Sequence, residues 1–386
     1  MLLPSAYVNV SRAQAAYARL LPENRFLLVA TRASGRRLAL PDNVAFRSLA
    51  AYALRPSNST DNEYRKLLTS WERLRTELSA QDRVLNLAFG LSLLDGFPRF
   101  LRSGLSVRDA WREVFAREPI VSVLSGDEHN PFTRLPVLLA RARGIRTVFC
   151  DHGALNMSFG IRPSCSDTYL ASSEMARDYL VRWCGLPPAR VASSGPGNRH
   201  SLKRTPESRK DRIVFFSECY ELSTARTATL YAELLPELCA VARRTNRKVI
   251  VKLHPFESAR LRRQTIEKLL NSADANLIEL RTGPMTPDLF ERAWFSVTVE
   301  SSVAVESTVN GVPCFLCQWF DVSWYGYARQ YAKFSAGYLL DSPEKIREIP
   351  ELLERMELTD DIRERLWNTA DPDKLTSLLY GRAPAA

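Results

Sequence analysis

The sequence predicts an α/β protein of two domains, each a parallel sheet covered by helices on both faces. Three observations carry that prediction. Short β-type apolar runs alternate with segments of helical period along most of the chain. The runs are apolar at nearly every position, as strands buried on both faces are. A segment rich in Gly, Pro, Ser and charge, "GPGNRHSLKRTPESRKD" at 195–211, has no apolar period and interrupts the alternation near its middle. With 386 residues the chain is also long for one hydrophobic core. The expected division is 1–200 and 201–386, two lobes facing a central cleft, with further helices at the C-terminal end.

In the first half the strand candidates are "RFLLVAT" (25–31), "IVSVLSGDE" (120–128), "IRTVFCDHG" (145–153) and "DTYLASS" (167–173). Helices such as "TRLPVLLARARG" and "SEMARDYLVRWCG" lie between them, and 52–116 reads as mostly helical. The second half is cleaner. "DRIVFFSE" (211–218) is a strand and Arg226–Thr245 a helix; "KVIVKLHP" is a strand and Glu257–Asn271 an amphipathic helix. "ANLIEL" is a strand, "TPDLFERA" a short helix and "WFSVTVE" (294–300) a strand. "SSVAVESTVNG" is a helix closed by Gly311, followed by the strand "VPCFLC"; 343–379 is helical.

Composition excludes several classes. An apolar share of 45% and a charged share of 25% rule out a disordered or collagen-like chain. The net charge of +10 and a pI near 9.4 favour an anionic partner: nucleotide, acidic glycan, lipid headgroup or nucleic acid. Basic residues are spread along helices without interleaved aromatics, which argues against nucleic acid. No apolar run reaches 18 residues, and "MLLPSAYVNVSRAQ" has no basic start and is broken at Pro4. A cytoplasmic protein is expected, able to touch the inner face of the membrane peripherally through basic patches. The seven cysteines are scattered, and the C-x-x-C of Cys314 and Cys317 has the look of a buried strand; two thiolates leave a zinc site half built. No phosphate-loop or G-x-G-x-x-G signature follows a strand, and no His/Cys/carboxylate set has metal spacing, so neither metal nor cofactor is expected.

In an open parallel sheet, ligands bind at the C-terminal ends of the strands, where the following helices present free amides. In the second half that rule selects Ser217, Lys252, His254, Ser301 and Ser302. Lys252 and His254 flank Leu253, so on an extended strand they share a side, and Pro255 suits the first turn of a helix. An ammonium, an imidazole and helix-end amides would converge on a phosphate. Of two adjacent serines, one can cap its own helix while the other binds a ligand oxygen. Glu306, about one turn after Ser302, is placed for ribose hydroxyls. In the first half, strands ending in "SGDEHN" and "CDHGALN" put two polar clusters on one rim. His152, before Gly153, has a pKa suited to removing a hydroxyl proton near neutrality, with Asp127 and Asp151 orienting it or acting as base. A loop histidine serving a turn is the plainer alternative.

The order strand–His-Gly loop, linker, strand–K-x-H-P, strand–Ser-Ser–helix–G-x-P resembles the GT-B glycosyltransferases of bacterial surface polysaccharides. The relatives meant are the capsule-type sialyl- and Kdo-transferases and the teichoic-acid glycerophosphotransferases. The resemblance implies two Rossmann-like domains, donor-phosphate contacts from His254, Ser301 and Ser302 with Lys252 alongside, His152 as base, and Gly195 near the crossover between domains. It covers roughly residues 120 to 320. Two departures stand: "SGDEHN" has Asp127-Glu128 followed by His where the sialyltransferases have Gly, and Val299-Glu300 replaces the Asp-Tyr that precedes the serines in the glycerophosphotransferases.

The leading expectation is therefore a metal-independent glycosyltransferase of capsule or lipopolysaccharide assembly. It would move a sugar from a nucleotide donor, CMP-linked by the resemblance, to a glycan or glycolipid acceptor, with inversion. The competitors are a CDP-glycerol-type glycerophosphotransferase, a UDP-sugar 2-epimerase of the same bilobal fold, and a non-catalytic carbohydrate-binding protein.

Overall fold

Thirteen short strands fall into two sheets in a computed structural model that describes residues 1–31, 38–53, 58–92, 94–128, 130–153, 155, 164–195, 210–218, 224–254, 257–320 and 326–381. The first sheet comprises β1 (Leu2–Ser5), β2 (Phe26–Ala30), β3 (Val44–Ser48), β4 (Ser122–Ser125), β5 (Arg146–Cys150), β6 (Thr168–Ala171) and β7 (Val191–Ser193). Its order is β3-β2-β1-β4-β5-β6-β7, with β1 to β6 paired in parallel. The second comprises β8 (Arg212–Phe216), β9 (Lys248–Lys252), β10 (Ile278–Arg281), β11 (Ala293–Thr298), β12 (Cys314–Cys317) and β13 (Tyr338–Leu340). It is ordered β10-β9-β8-β11-β12-β13 and parallel throughout.

Both sheets thus start in the middle, grow one way for three strands, then reverse. That winding creates a switch point in each, between β1 and β4 and between β8 and β11, where the loops leaving neighbouring strands diverge and open a crevice.

The helices of the first sheet are α1 (Val8–Arg19), α2 (Asn58–Gln81), α3 (Arg83–Gly90), α4 (Phe97–Arg117) and α5 (Pro131–Arg141). Then come α6 (Glu174–Asp178), continued by a π-helical turn Tyr179–Trp183, and α7 (Thr224–Thr245). The second half adds α8 (Ala259–Leu269), α9 (Ser272–Ala275), α10 (Pro287–Glu291), α11 (Val303–Val309) and α12 (Tyr327–Lys333). The last three are α13 (Ile349–Leu353), α14 (Asp360–Leu366) and α15 (Pro372–Tyr380).

The expected helix over Glu257–Asn271 is shorter than the pattern implied. Ser258 caps it by accepting from Leu261 N–H, and Asn271 starts the separate turn α9 by accepting from Asp274 N–H. Gly311, at φ 72°, closes α11 as its position after the helix requires.

Each sheet has its own core. In the first, Trp111 and Val114 of α4 are buried against Leu2, Val29 and Val123, and the Trp111 indole N–H donates to the Phe132 carbonyl at 2.8 Å. In the second, Tyr231, Leu234 and Leu238 of α7 are buried against Ile213, Phe215 and Val251.

Strand β1 lies at the centre of its sheet although Pro4 sits inside it. Proline has no N–H to give the ladder. The Gln14 side-chain amide of α1 replaces it, donating at 2.9 Å to both the Pro4 and the Leu124 carbonyls.

By its contacts the chain forms two units: Met1–His152 with Ser158–Leu170 and Ala370–Ala386, and Gly153–Met157 with Ala171–Thr369. The chain therefore comes back to the first unit at its end, where Leu375 and Leu379 of α15 are buried and Tyr380 bonds Asn24. Most of the interrupting segment at 195–211 lies outside the described residues. Gly195 is described and packs within the second unit, its N–H donating to Thr369 O at 3.3 Å. A Cβ there would stand 1.9 Å from Asn368 O, so only glycine fits.

Candidate functional site

The second sheet's switch point gathers the predicted donor-binding residues. Phe216 is in register with Lys252 and Phe215 with Val297, so β9, β8 and β11 end at one level. At about 4.8 Å per strand, the loops after β9 and β11 lie about 10 Å apart with the β8 loop between them. Two carboxylates tie the three loops together.

Glu257 organises the β9 side. It is buried, and its Oε2 accepts the His254 backbone N–H at 2.8 Å. Its Oε1 accepts the Ser217 hydroxyl at 2.9 Å and Arg262 Nε at 2.7 Å. Tyr231 in turn donates to Ser217 Oγ at 2.9 Å. Ser217 is thus part of the scaffold that fixes the His254 turn. Lys252 is also buried: its Nζ donates to Leu253 O at 3.0 Å and Gly283 O at 2.7 Å, and desolvation lowers its pKa against the opposing pull of Glu257. Pro255 lies outside the described residues.

Glu218 organises the β11 side across the switch point. Its Oε1 accepts the Glu300 N–H at 2.8 Å and lies 3.0 Å from Thr298 Oγ1. The Thr298 hydroxyl, with one proton, is also 3.0 Å from the Phe216 carbonyl. Both contacts are satisfied together when Glu218 itself carries a proton. Desolvation pushes its pKa up to about 7, consistent with that state. The strand-end rule that selects Ser217 applies equally to Glu218, whereas the contacts of Glu218 and Glu257 reach between loops and carry no local sequence signal.

The two serines differ in their bonds. Ser301 Oγ accepts from Val303 N–H at 3.4 Å, whereas Ser302, at the N-cap position, makes no side-chain capping bond. Gly153, which groups with the second unit, lies beside it: a Cβ on Gly153 would be 3.8 Å from Ser302 Oγ. Glu306 lies one turn into α11, half-buried.

In the first sheet, β4 and β5 pair in parallel and bring "SGDE" and "CDHG" to one rim. His152 Nδ1 is 2.7 Å from the Gly126 carbonyl. A carbonyl only accepts, so Nδ1 carries the proton and Nε2 is the basic nitrogen. Desolvation lowers the imidazole pKa, with Gly126 O and Asp127 pulling the other way. Burial thus favours the neutral imidazole.

Asp127 is buried and accepts the Asn130 N–H at 3.2 Å, shaping the entry to α5. Glu128 is structural, accepting from Cys165 N, Ser166 N and Tyr169 OH. Asp151 differs from both. It is 6% exposed, neither carboxyl oxygen has a hydrogen-bond partner among the described residues, and desolvation pushes its pKa up to about 8. Unlike Asp127 and Glu128, it therefore holds no neighbouring segment by hydrogen bonds among the described residues.

Cys314 and Cys317 are buried core residues on opposite faces of β12, and desolvation raises the pKa of both thiols. Among the described residues no group of three or more His, Cys, Asp or Glu could hold a metal ion, and no helix is long and apolar enough to cross a membrane.

No family model and no curated protein matches the chain. Solved structures do, over nearly their whole length. The UDP-GlcNAc 2-epimerase from Neisseria meningitidis, bound to UDP-GlcNAc, superposes with a TM-score of 0.61 at 12% identity, covering 99% of each chain. The UDP-GlcNAc 2-epimerase from Methanocaldococcus jannaschii, in complex with UDP-GlcNAc and UDP, gives 0.59 at 14% identity over 98% of this chain and 99% of that one. The calicheamicin glycosyltransferase CalG4 gives 0.56 at 13% identity over 100% and 99%. At such identities the likeness is one of fold, and the fold is GT-B: two parallel-sheet domains with helices on their faces.

Proposed function

We propose that this GT-B chain is a glycosyltransferase that moves a sugar from a nucleotide donor, CMP-linked, to a surface-polysaccharide or lipid-linked glycan acceptor. The carrying observation is the second sheet's switch point, where two carboxylates hold Ser217, His254 and Glu300 in place and the Ser302 hydroxyl is left outside the capping bonds. Nucleotide sugars as ligand class are supported by the neighbours solved with UDP-GlcNAc. The cytidine nucleotide rests on the K-x-H-P and Ser-Ser motifs.

In this reading His254, Ser301, Ser302 and the amides around them hold the donor phosphate. They stabilise the negative charge that grows on it as the glycosidic bond breaks, so the reaction runs without a divalent ion. His152, neutral and basic at Nε2, takes the acceptor hydroxyl proton, with Asp127 favouring the imidazolium that forms. The protein works at the cytoplasmic face, in peripheral contact with anionic membrane where its acceptor lies.

A second reading, a UDP-sugar 2-epimerase, is favoured by one observation: the buried Asp151 carboxyl has no hydrogen-bond partner among the described residues, and burial pushes its pKa up to about 8 and that of Glu218 up to about 7, the range in which proton transfer at a sugar carbon would use an acid. A CDP-glycerol-type glycerophosphotransferase would use the same phosphate site.

The test is a thermal-shift panel of CMP, CDP and UDP, followed by product analysis with CMP-Kdo, CMP-sialate, CDP-glycerol and UDP-GlcNAc. The transferase reading expects stabilisation by cytidine nucleotides and CMP release that needs acceptor and survives EDTA. Release should fall at least about 100-fold in His152→Ala and in His254→Ala. The base also makes kcat/KM fall only as pH drops below the ordinary histidine range, because the His152 pKa is lowered. Interconversion of UDP-GlcNAc with no acceptor present would replace this reading by the second.

A further inference from the structure

The hydrogen bonds around Glu218 are complete only when the acid keeps its own proton. Glu218 follows β8, half-buried, and its Oε1 accepts the Glu300 N–H at 2.8 Å. Thr298 Oγ1 lies 3.0 Å from that same oxygen and 3.0 Å from the Phe216 carbonyl. With Glu218 ionised, one hydroxyl proton would face two acceptors, and one close pair of oxygens would have none between them. With Glu218 protonated, its O–H donates to Thr298 and the Thr298 O–H donates to Phe216. The titratable groups around the carboxyl are Glu300 beyond β11, Cys314 and Cys317 on β12 and Tyr331 on α12. None of these brings a positive charge. On the β9 side, Lys252 is turned to the Leu253 and Gly283 carbonyls, and Glu257 to Ser217 and Arg262. Burial accordingly pushes the Glu218 pKa up to about 7, against the pull of the Glu300 and Ser301 amides.

This acid borders the phosphate site. A phosphate held by Ser301 and Ser302 would lie within two residues of the Glu300 amide, about 7 Å, which is inside a Debye length in physiological salt. An ionised Glu218 would repel it, whereas the neutral acid keeps the bond to Glu300 at no such cost. We infer that Glu218 is a positioning residue of the donor-phosphate site and acts only as the neutral acid, so that the nucleotide binds together with one proton. Resting on the phosphate site proposed above, this adds the protonation state in which that site accepts its ligand. Linkage fixes the sign. Binding is strongest below pH 7 and weakens as pH rises through 7, and a bound phosphate makes Glu218 harder to ionise.

The test is isothermal titration calorimetry of the full chain with CMP-sialate, CDP-glycerol and UDP-GlcNAc from about pH 6 to about pH 8. None of their phosphates is a free monoester, so none has a second ionisation in that range. The parent's affinity should fall as pH rises. The ratio of parent to Glu218→Gln dissociation constants should grow about tenfold between the two ends of the range, because glutamine stays neutral. Comparing the two proteins at each pH cancels the titration of His254. Glu218→Ala is neutral too but cannot accept the Glu300 N–H, and it should bind about tenfold more weakly than Glu218→Gln throughout. In buffers of different ionisation enthalpy, the parent should take up about 0.8 proton more than Glu218→Gln at about pH 7.5. A flat ratio, or equal binding by the glutamine and alanine variants, would overturn the inference and leave the nucleotide site standing. Absence of binding by all three nucleotides at every pH would remove the site itself, and the inference with it.

Discussion

Burying a carboxyl group without a hydrogen-bond partner is costly, and the cost is smallest while the group stays protonated. Asp151 is held in that condition, with its pKa pushed up to about 8 by desolvation. The folded state therefore binds its proton more tightly than the unfolded chain does. The linked stability is fully present below the ordinary aspartate range and is lost as pH rises through 8. Asp151→Asn cannot ionise, so its stability should exceed the parent's at pH 8 by several kcal/mol and converge on it only as pH falls below about 4. Urea titrations at the two pH values measure this, and comparing parent with variant cancels the parallel slope from Glu218. A constant difference between them would mean that Asp151 ionises in the folded protein without penalty.

At the scale of elements, what was legible in the sequence follows the range of the forces involved. Strands such as Arg212–Phe216 and Lys248–Lys252 announce themselves because both faces are covered and every position must be apolar. The Ser301-Ser302 turn is legible too, since a strand, two cap-forming hydroxyls and a closing Gly311 are all local signals. β1 is hidden by Pro4, whose presence argues against a central strand. Its rescue comes from Gln14, ten residues away, reaching over two strands. Glu218 is hidden for the same reason, because its contact with Glu300 exists only once β8 and β11 are neighbours. Gln14→Leu keeps the helix and the volume but strips donors from two buried carbonyls. A loss of about 2–3 kcal/mol in chemical denaturation is expected, and a loss below about 0.5 kcal/mol would show that the carbonyls find other donors.

For the molecule as a whole, Gly195 marks a place where segments distant in sequence pack closely. The chain at 368–369 runs against it, pinned by Asn368 N–H to Ser172 O at 2.8 Å and by Asn368 Nδ2 to Ala171 O at 3.0 Å. Gly195→Ala would drive a methyl group into a backbone carbonyl that cannot swing aside. The expected cost is on the order of 3 kcal/mol, seen as a lowered melting temperature and reduced soluble yield. A melting temperature within about 2 °C of the parent would show that the two segments separate easily.

The homecoming of α15 has a consequence for biosynthesis. Its buried leucines belong to a helix packed on β4 and β5, so the first sheet stays short of one covering element until the far end of this sequence has been made. The later sheet, assembled from nearly continuous chain, has no such wait. During translation the part made first is the part finished last, and an early stop that spares every strand would still leave it unsealed.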